Sequence, residues 1–377
     1  MRTVLVRFSS LGVKSGPVRK RMKAVLRQRV EDRLEYEELG YDRVSERPGR
    51  IVVFGTGEAE RAAEKIRELP GVASVSPAIR TGPDMEEVKK VSERFEIGES
   101  FGVRANTANI GLSSREVEQE LGAHIEDVTG SRVDLDDPET WIRVDLRGDN
   151  AYVFSEKLEG PEGFPVGSEE PLAALISGGI DSPVAAHQVM TRGSDITPIY
   201  FYNRPIAAED HLMRFESSIK KLERFNPGKK WNYYVVDMNE VNQELMEVGK
   251  GRMVVHRRIM FQTAEKIAER EGLTGLVTGE SIGQKSSQTP RNLEASSEAV
   301  SKPVHRPLLT WSKNSIVEKA KEIGTFEDAK ISSACRSMAP DKPATEATGD
   351  LIEEIEDTVD TGELVRQAVE EAEKTRL

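Results

Sequence analysis

The chain has 377 residues, 37% hydrophobic and 31% charged, with a formal net charge of −12. That length allows two or three domains with buried cores. No stretch reaches the roughly 18 apolar residues of a membrane helix, and the apolar start "TVLV" is too short and too closely flanked by arginine for a signal peptide, so a cytoplasmic protein with no membrane partner is expected. The single cysteine, Cys335, excludes an intramolecular disulfide framework and any iron–sulfur cluster or Cys-only zinc site within one chain. The five histidines (His124, His187, His211, His256 and His305) show no metal-ligand spacing.

Taken in chain order, the first domain is expected over 1–80. "TVLVRF" alternates like a strand, 17–35 reads as a basic helix, "RIVVFG" as a strand, 57–68 as a helix and "VASVSPAI" as a strand. This is a small α/β layer of ferredoxin-like type. Residues 1–30 carry nine basic residues and no acid, including Arg19, Lys20, Arg21 and Lys23. A bipolar chain can present such a patch to a polyanion while staying soluble, which points to RNA or DNA contact.

A second domain is expected over 81–167. The helices "DMEEVKKVSERF" and "SSREVEQELGAHIEDV" alternate with the strands "FGVRAN", "RVDL", "TWIRVDL" and "AYVFSEKLEG". The Gly/Pro-rich "GPEGFPVGSEEP" reads as the linker that ends it. From 168 to 345 the strands "LAALIS", "ITPIYFY", "WNYYVVDM" and "GLVTGES" alternate with helices over 182–192, 207–225, 252–271 and 313–323. That rhythm is the signature of a doubly wound parallel sheet. Residues 346–377 read as an acidic tail, an amphipathic helix or a partly ordered arm.

The string "SGGIDSP" follows the first strand of the third domain and opens a helix. Ligands of such folds sit at the carboxyl ends of the strands. Gly178 and Gly179 let the backbone approach an anion, the N–H groups of the loop and helix point at it, and Ser177 and Ser182 add hydroxyl donors. The loop lacks the lysine of the common ATP-binding P-loop and carries Asp181 instead.

SGGIDSP resembles the PP-loop of ATP pyrophosphatases, the adenine nucleotide alpha hydrolase-like fold, whose members split ATP between the α and β phosphates. "LVTGESIGQKSSQTPRNL" (276–293), "HRPLLTWSKNSIVEKAKEIGT" (305–325) and "FPVGS" narrow the likeness to the tRNA 4-thiouridine synthetases (ThiI). The second domain then resembles a THUMP RNA-binding module, and the first its ferredoxin-like companion. The resemblance covers roughly residues 1–345 and is strongest in the third domain.

The resemblance implies ATP contacts at Leu175, Ile176, Ser177, Gly178, Gly179, Asp181 and Ser182. It implies further contacts at Tyr200 and Phe201 on the next strand, and at Arg257, Gly279 and Gln288. Mg²⁺ held through the ATP phosphates explains a carboxylate there, since Mg²⁺ takes carboxylate and phosphate oxygens together. Asp181 is then catalytic, and Lys313 matches a lysine placed to stabilise charge as pyrophosphate leaves. Cys335, beside Arg336, matches a cysteine that receives or delivers sulfur. The reaction implied is adenylation of the C4 oxygen of a tRNA uridine (position 8) and its replacement by sulfur, giving 4-thiouridine.

The pattern also departs from the family. The sequence carries no rhodanese domain after the third domain and no further cysteine to resolve a persulfide, so sulfur is expected from free sulfide or from a persulfide carrier such as a cysteine desulfurase. The THUMP strand keeps only Arg104 among the basic residues that usually follow "FxV", which shifts the expected RNA contact toward Arg19–Arg29. The family suggests a homodimer. Alternatives are sulfur transfer toward the thiazole of thiamine, a non-catalytic tRNA-binding protein, and a different PP-loop enzyme such as an amide-forming synthetase. Keeping Asp181, Lys313 and Cys335 together speaks against the non-catalytic alternative.

Overall fold

The computed structural model describes residues 1–8, 15–108, 110–205, 210–329 and 348–377; Cys335 and its neighbours lie outside them. Contacts divide the chain into two units, Met1–Pro165 and Val166–Leu377.

Unit 1 contains β1 (Arg2–Arg7), α1 (Gly16–Tyr36), β2 (Arg43–Arg47), β3 (Arg50–Phe54), α2 (Ala59–Ile66), β4 (Ser74–Thr81) and α3 (Met85–Ser92). It continues with β5 (Ser100–Ala108), α4 (Ser114–Thr129), β6 (Arg132–Val133), β7 (Thr140–Arg147), β8 (Asn150–Phe154) and β9 (Leu158–Glu159). One nine-stranded sheet runs in the order β2-β3-β1-β4-β8-β7-β5-β6, with β9 on β4. The stretches read from sequence as separate domains therefore share a sheet: β4 bonds β1 along one side and β8 along the other.

Alternation along the strands sends every second residue to the helices. Val4, Val6 and Val53 pack with Leu26 and Val30 of α1 and Ile66 of α2. Val103, Val144 and Val153 pack with Val88 of α3 and Val117 and Leu121 of α4. The opposite face holds a smaller cluster of Leu5, Val52, Phe54, Ala78, Tyr152 and Phe154, to which no helix contributes. A capping box between Ser113 and Glu116 opens α4, and Gly130, at φ 71°, closes it.

Unit 2 follows with β10 (Phe164–Leu175), α5 (Asp181–Met190), β11 (Arg192–Tyr202), α6 (Asp210–Glu223), β12 (Asn232–Asp237), α7 (Asn239–Met246) and α8 (Arg252–Glu271). Then come β13 (Leu276–Val277), α9 (Pro290–Ser297), β14 (Val304–His305), α10 (Lys313–Glu322), α11 (Gly349–Thr358), α12 (Thr361–Glu370) and β15 (Glu373–Arg376). The sheet order is β14-β13-β10-β11-β12-β15. β13 runs parallel to β10 and to β14, β11 runs parallel to β12, and β15 is antiparallel to β12. Helices cover both faces. Leu172, Ala174 and Ile176 face α5, α6 and α10. Ala173 and Leu175 face the side of α8, α11 and α12. After β10 the chain moves outward through β11 and β12, then returns to the other flank of β10 as β13. The crevice beyond the ends of β10 and β13 is the topological switch point.

One expectation changes, and of the two readings of the tail the structure selects the helical one. β10 runs through most of the stretch read as a linker, because its second half pairs with β13 while its polar first half only looks like loop. The acidic tail, from residue 348 on, is part of the fold: Ile352, Ile355, Leu364, Val365 and Ala368, at helical spacing, enter the core. Arg258 also grips Glu356 through two bonds, at 2.7 and 3.0 Å. No helix among the described residues is long and apolar enough to cross a membrane.

His187 of α5 is buried edge-on against Phe225, with ring centroids 4.5 Å apart. Burial, reinforced by Lys319 and Arg224, pushes its pKa from 6.5 down to about 3. Below pH 6.5 the unfolded chain takes up a proton that the folded chain refuses, so the stability His187 contributes is present above that pH and lost as pH falls toward 3. The melting temperature is expected to drop by several degrees between about pH 6.5 and pH 4, and His187→Leu to flatten that slope. An unchanged slope in the variant would assign the acid sensitivity elsewhere.

Candidate active site

The loop after β10 is braced by its own serines. Ser177 N–H donates to Ser182 Oγ at 2.8 Å, and the two hydroxyls lie 3.1 Å apart. Gly179 N–H donates to Ser177 Oγ at 3.3 Å. Gly178 has no positive φ; it is needed for space, since a Cβ there would lie 3.2 Å from the His211 carbonyl. Gly279 is tighter still: a Cβ would fall 2.7 Å from Ser182 N and 2.8 Å from the Asp181 carbonyl carbon. The end of β13 thus lies directly against the first turn of α5.

Asp181 opens α5 without capping it, which leaves its carboxylate free to face outward. Lys313, the first residue of α10, donates to Asp181 Oδ1 at 2.5 Å, and Gln284 Nε2 donates to Oδ2 at 3.2 Å. Residues 132 positions apart therefore meet at the mouth of one cavity of about 390 Å³. That volume lies within the range of small-molecule and cofactor sites.

Each described residue assigned to ATP by resemblance lines this cavity. The loop wall is Ser177, Gly178, Gly179, Asp181 and Ser182; Leu175 and Ile176 lead into it. Tyr200 and Phe201 border it where β11 ends, with their side chains in opposite cores. Gly279, Gln288, Arg257 and Lys313 complete it. Of the RNA-directed residues, Arg19, Lys20, Arg21 and Arg104 are exposed in unit 1, and Lys23 is half-buried near Glu46 at 3.5 Å.

Glu280 was not anticipated. It is buried and accepts from Arg257, from Arg306 Nε at 2.8 Å and from Thr278 Oγ1 at 2.9 Å. Burial alone would push its carboxyl up; the charges of Arg257 and Arg306 outweigh that and hold it below the usual carboxylate range. Glu280 thereby fixes Arg257 on the cavity wall. His256, one residue earlier, also lines the cavity. Asn242 donates its amide to Arg204 O at 2.8 Å and so offers Oδ1 to His256 Nε2 at 3.1 Å. Burial, then Arg257, lowers its pKa to about 4, so the ring is neutral at physiological pH. Four further lining atoms, Arg257 Nε, Asn203 Oδ1, Gln284 Oε1 and Gln288 Oε1, are buried and lack a hydrogen-bond partner among the described residues. Buried polar groups of this kind normally have partners, and a bound polar ligand would supply them.

The arrangement combines N–H donors at a helix start, the Lys313–Asp181 pair and the Arg257 guanidinium held by Glu280, a set suited to a polyphosphate. Comparison with known proteins agrees. Family models match the ThiI ferredoxin-like domain over residues 3–76, the THUMP domain over 85–156 and the thiamine biosynthesis protein (ThiI) over 167–361. A probable tRNA sulfurtransferase of Halobacterium salinarum is 37% identical, covering 92% of this chain and 90% of that one. A tRNA sulfurtransferase of Thermoplasma acidophilum is 33% identical, covering 97% of this chain and 75% of that one. Among solved structures, a 4-thiouridine synthetase in complex with RNA and with ATP bound aligns over 100% of both chains, at a TM-score of 0.90 and 30% identity. Matched by its own model over more than half its length and by relatives along nearly all of it, the chain belongs to the ThiI family.

Proposed function

We propose that the chain is an ATP-dependent tRNA sulfurtransferase that converts a uridine, position 8 by family likeness, to 4-thiouridine. The observation that carries this reading is the meeting of Asp181 and Lys313 at the mouth of the cavity beneath the Ser177–Ser182 loop. ATP occupies the cavity, with its pyrophosphate portion against the loop N–H groups and the Ser177 and Ser182 hydroxyls. Arg257, held by Glu280, and Lys313 supply positive charge where negative charge grows as pyrophosphate departs. The uridine C4 oxygen takes the AMP group and becomes a leaving group. A sulfur nucleophile then displaces AMP.

Asp181 is the cavity carboxylate able to share Mg²⁺ with phosphates, because Glu280 is committed to two arginines. One carboxylate with substrate phosphates suits Mg²⁺, which keeps most of its waters. When bound, the ion would neutralise phosphate charge; the chain's part is to orient Asp181 through Lys313 and Gln284. Cys335 is assigned the sulfur-handling step, with sulfide or an external persulfide carrier as source, in a cytoplasmic homodimer. Thiamine thiazole as sulfur acceptor is the second reading, favoured by the description of the matching family model.

Incubating the protein with unmodified tRNA, Mg²⁺-ATP and sulfide should yield AMP, pyrophosphate and the near-ultraviolet absorbance of 4-thiouridine. Absence of thiouridine with every sulfur donor tried would sink the proposal. Cys335→Ser is expected to keep ATP cleavage near the parental rate and to lose thiouridine formation by about 100-fold or more. Full thiolation by that variant with free sulfide would remove Cys335 from the reaction.

A further inference from the structure

The cavity spans the end of the unit 2 sheet. Its loop wall belongs to α5 and α10, which pack on one face, and its opposite wall is α8, which packs on the other. Met253, His256, Arg257 and Met260 line it from α8, at steps of three and four that put them on one stripe of the helix. With Phe201 and Phe261 they make this wall mostly apolar, whereas Lys313, Asp181 and the loop N–H groups make the other polar. A nucleotide with its phosphates at the loop therefore lays its base toward α8.

Two neighbours on α8 serve different ends of the cavity. Arg257 is bound to Glu280, which follows the Gly279 that presses on the first turn of α5, so it serves the loop end. His256 is bound to Asn242 of α7 at 3.1 Å, and Asn242 in turn to the Arg204 carbonyl beyond β11 at 2.8 Å. The direction of these bonds fixes the ring. The Asn242 amide group is spent on Arg204, so its oxygen faces His256 and takes the proton of Nε2. Nδ1 is left with a lone pair and no hydrogen-bond partner among the described residues. Burial, then Arg257, keeps the ring neutral, so Nδ1 retains that lone pair at physiological pH. A second acceptor stands next to Arg204 in the chain: Asn203 lines the cavity, and its Oδ1 is buried without a partner among the described residues.

Two acceptors at the base end call for N–H donors on the base. Position 6 of adenine carries an amino group with two of them. Guanine and hypoxanthine carry an oxygen there, whose lone pairs would face those of the protein. The loop holds the part common to all nucleoside triphosphates, so discrimination among purines has to come from this end. A buried acceptor left unanswered costs binding energy, and that cost falls on the wrong base alone.

We propose that His256, its tautomer fixed by Asn242, selects adenine by accepting a hydrogen bond from the 6-amino group at Nδ1, and that Asn203 takes the second N–H. The proposal rests on the ATP reading above and deepens it. Full-length protein would be incubated with unmodified tRNA, Mg²⁺ and sulfide, and pyrophosphate release compared between ATP and purine riboside 5′-triphosphate, which lacks only the amino group. The parent is expected to favour ATP by about 10- to 100-fold in kcat/KM, and to use inosine triphosphate no better than the amino-free analogue. His256→Gln keeps an amide N–H within reach of Asn242 and puts nothing at Nδ1. It should lose about 10-fold or more on ATP, mostly through KM because the base is bound alike in ground and transition states, and less than about threefold on the analogue. His256→Asn carries a carbonyl oxygen near the place of Nδ1 and should retain most of the preference. If His256→Gln melts low, Asn203→Ala, at a partly exposed position, is read in its place, with the preference for ATP reduced about threefold or more. Equal losses on ATP and analogue would make His256 structural and overturn the proposal. A preference absent in the parent or unchanged in His256→Gln would overturn it too, as would a loss confined to discrimination against 2′-deoxy-ATP, which assigns Nδ1 to the ribose. A parent that cleaves neither nucleotide would remove the ATP reading itself.

Discussion

Asp181→Ala is expected to lower AMP and pyrophosphate formation from ATP by about a thousandfold or more. Asp181 is where Lys313 and Gln284 converge, and it opens the helix whose first turn faces the cavity. Its loss removes the carboxylate that orients Lys313 and the one free to share a divalent ion. Stability should change little, within about 1 kcal/mol, because Lys313 is half-exposed and water can solvate it once its partner is gone. Asp181→Asn keeps the volume but not the charge and should be nearly as inactive. Separating nucleotides by chromatography after incubation with Mg²⁺-ATP and tRNA reads the effect directly. Parental AMP release in either variant would remove Asp181 from the chemistry.

Gly279→Ala should damage both stability and turnover. The added methyl would press on Ser182 N and the Asp181 carbonyl carbon at under 3 Å, and these are backbone atoms that cannot swing aside as a side-chain end would. Either the end of β13 or the first turn of α5 must move. A loss of about 1–3 kcal/mol in urea unfolding is expected, together with a fall in ATP cleavage of about 100-fold, since the displaced turn carries Asp181. Gly349→Ala is the control, because nothing lies within 4 Å of the added atom. Equal behaviour of the two variants would show that the β13–α5 contact is looser than the geometry implies.

The reach of the sequence follows from how local each feature is. The loop at 177–182 was legible because its chemistry is contiguous: strand, glycines, hydroxyls and helix start lie in one string. Long periodic helices such as α1, α4 and α8 were legible for the same reason. The Glu280 clamp was not, because Arg257 is 23 positions before it and Arg306 26 after it; the pairing of β13 with β14 brings Arg306 close, and the packing of α8 on β13 brings Arg257. β13 and β14 have two residues each, too few to show alternation. β2 was missed because "RVSER" is an edge strand whose arginines read as surface loop. The stretch after 348 was half legible: its amphipathic pattern showed in sequence and two helices stand there, but the core they join and the strand β15 that follows depend on distant partners. Along α1 the basic residues were legible but their pairing was not: Arg27 and Arg29 meet Glu31 and Asp32 of the same helix, and Lys23 meets Glu46 of β2.

The pairing of β15 with β12 bears on the colloidal behaviour of the molecule. Without it, β12 would present a bare row of amide and carbonyl groups at the margin of a mostly apolar sheet, an open template for a strand from another chain. β15 covers that row and brings lysine and arginine with it. Lys374 is fastened to Glu271 at 2.8 Å, and Glu271 in turn accepts from the Tyr234 hydroxyl at 2.6 Å. The end of the acidic segment is thus a guard against ribbon-like self-assembly, and variants or fusions that pry it loose should precipitate before they lose nucleotide chemistry.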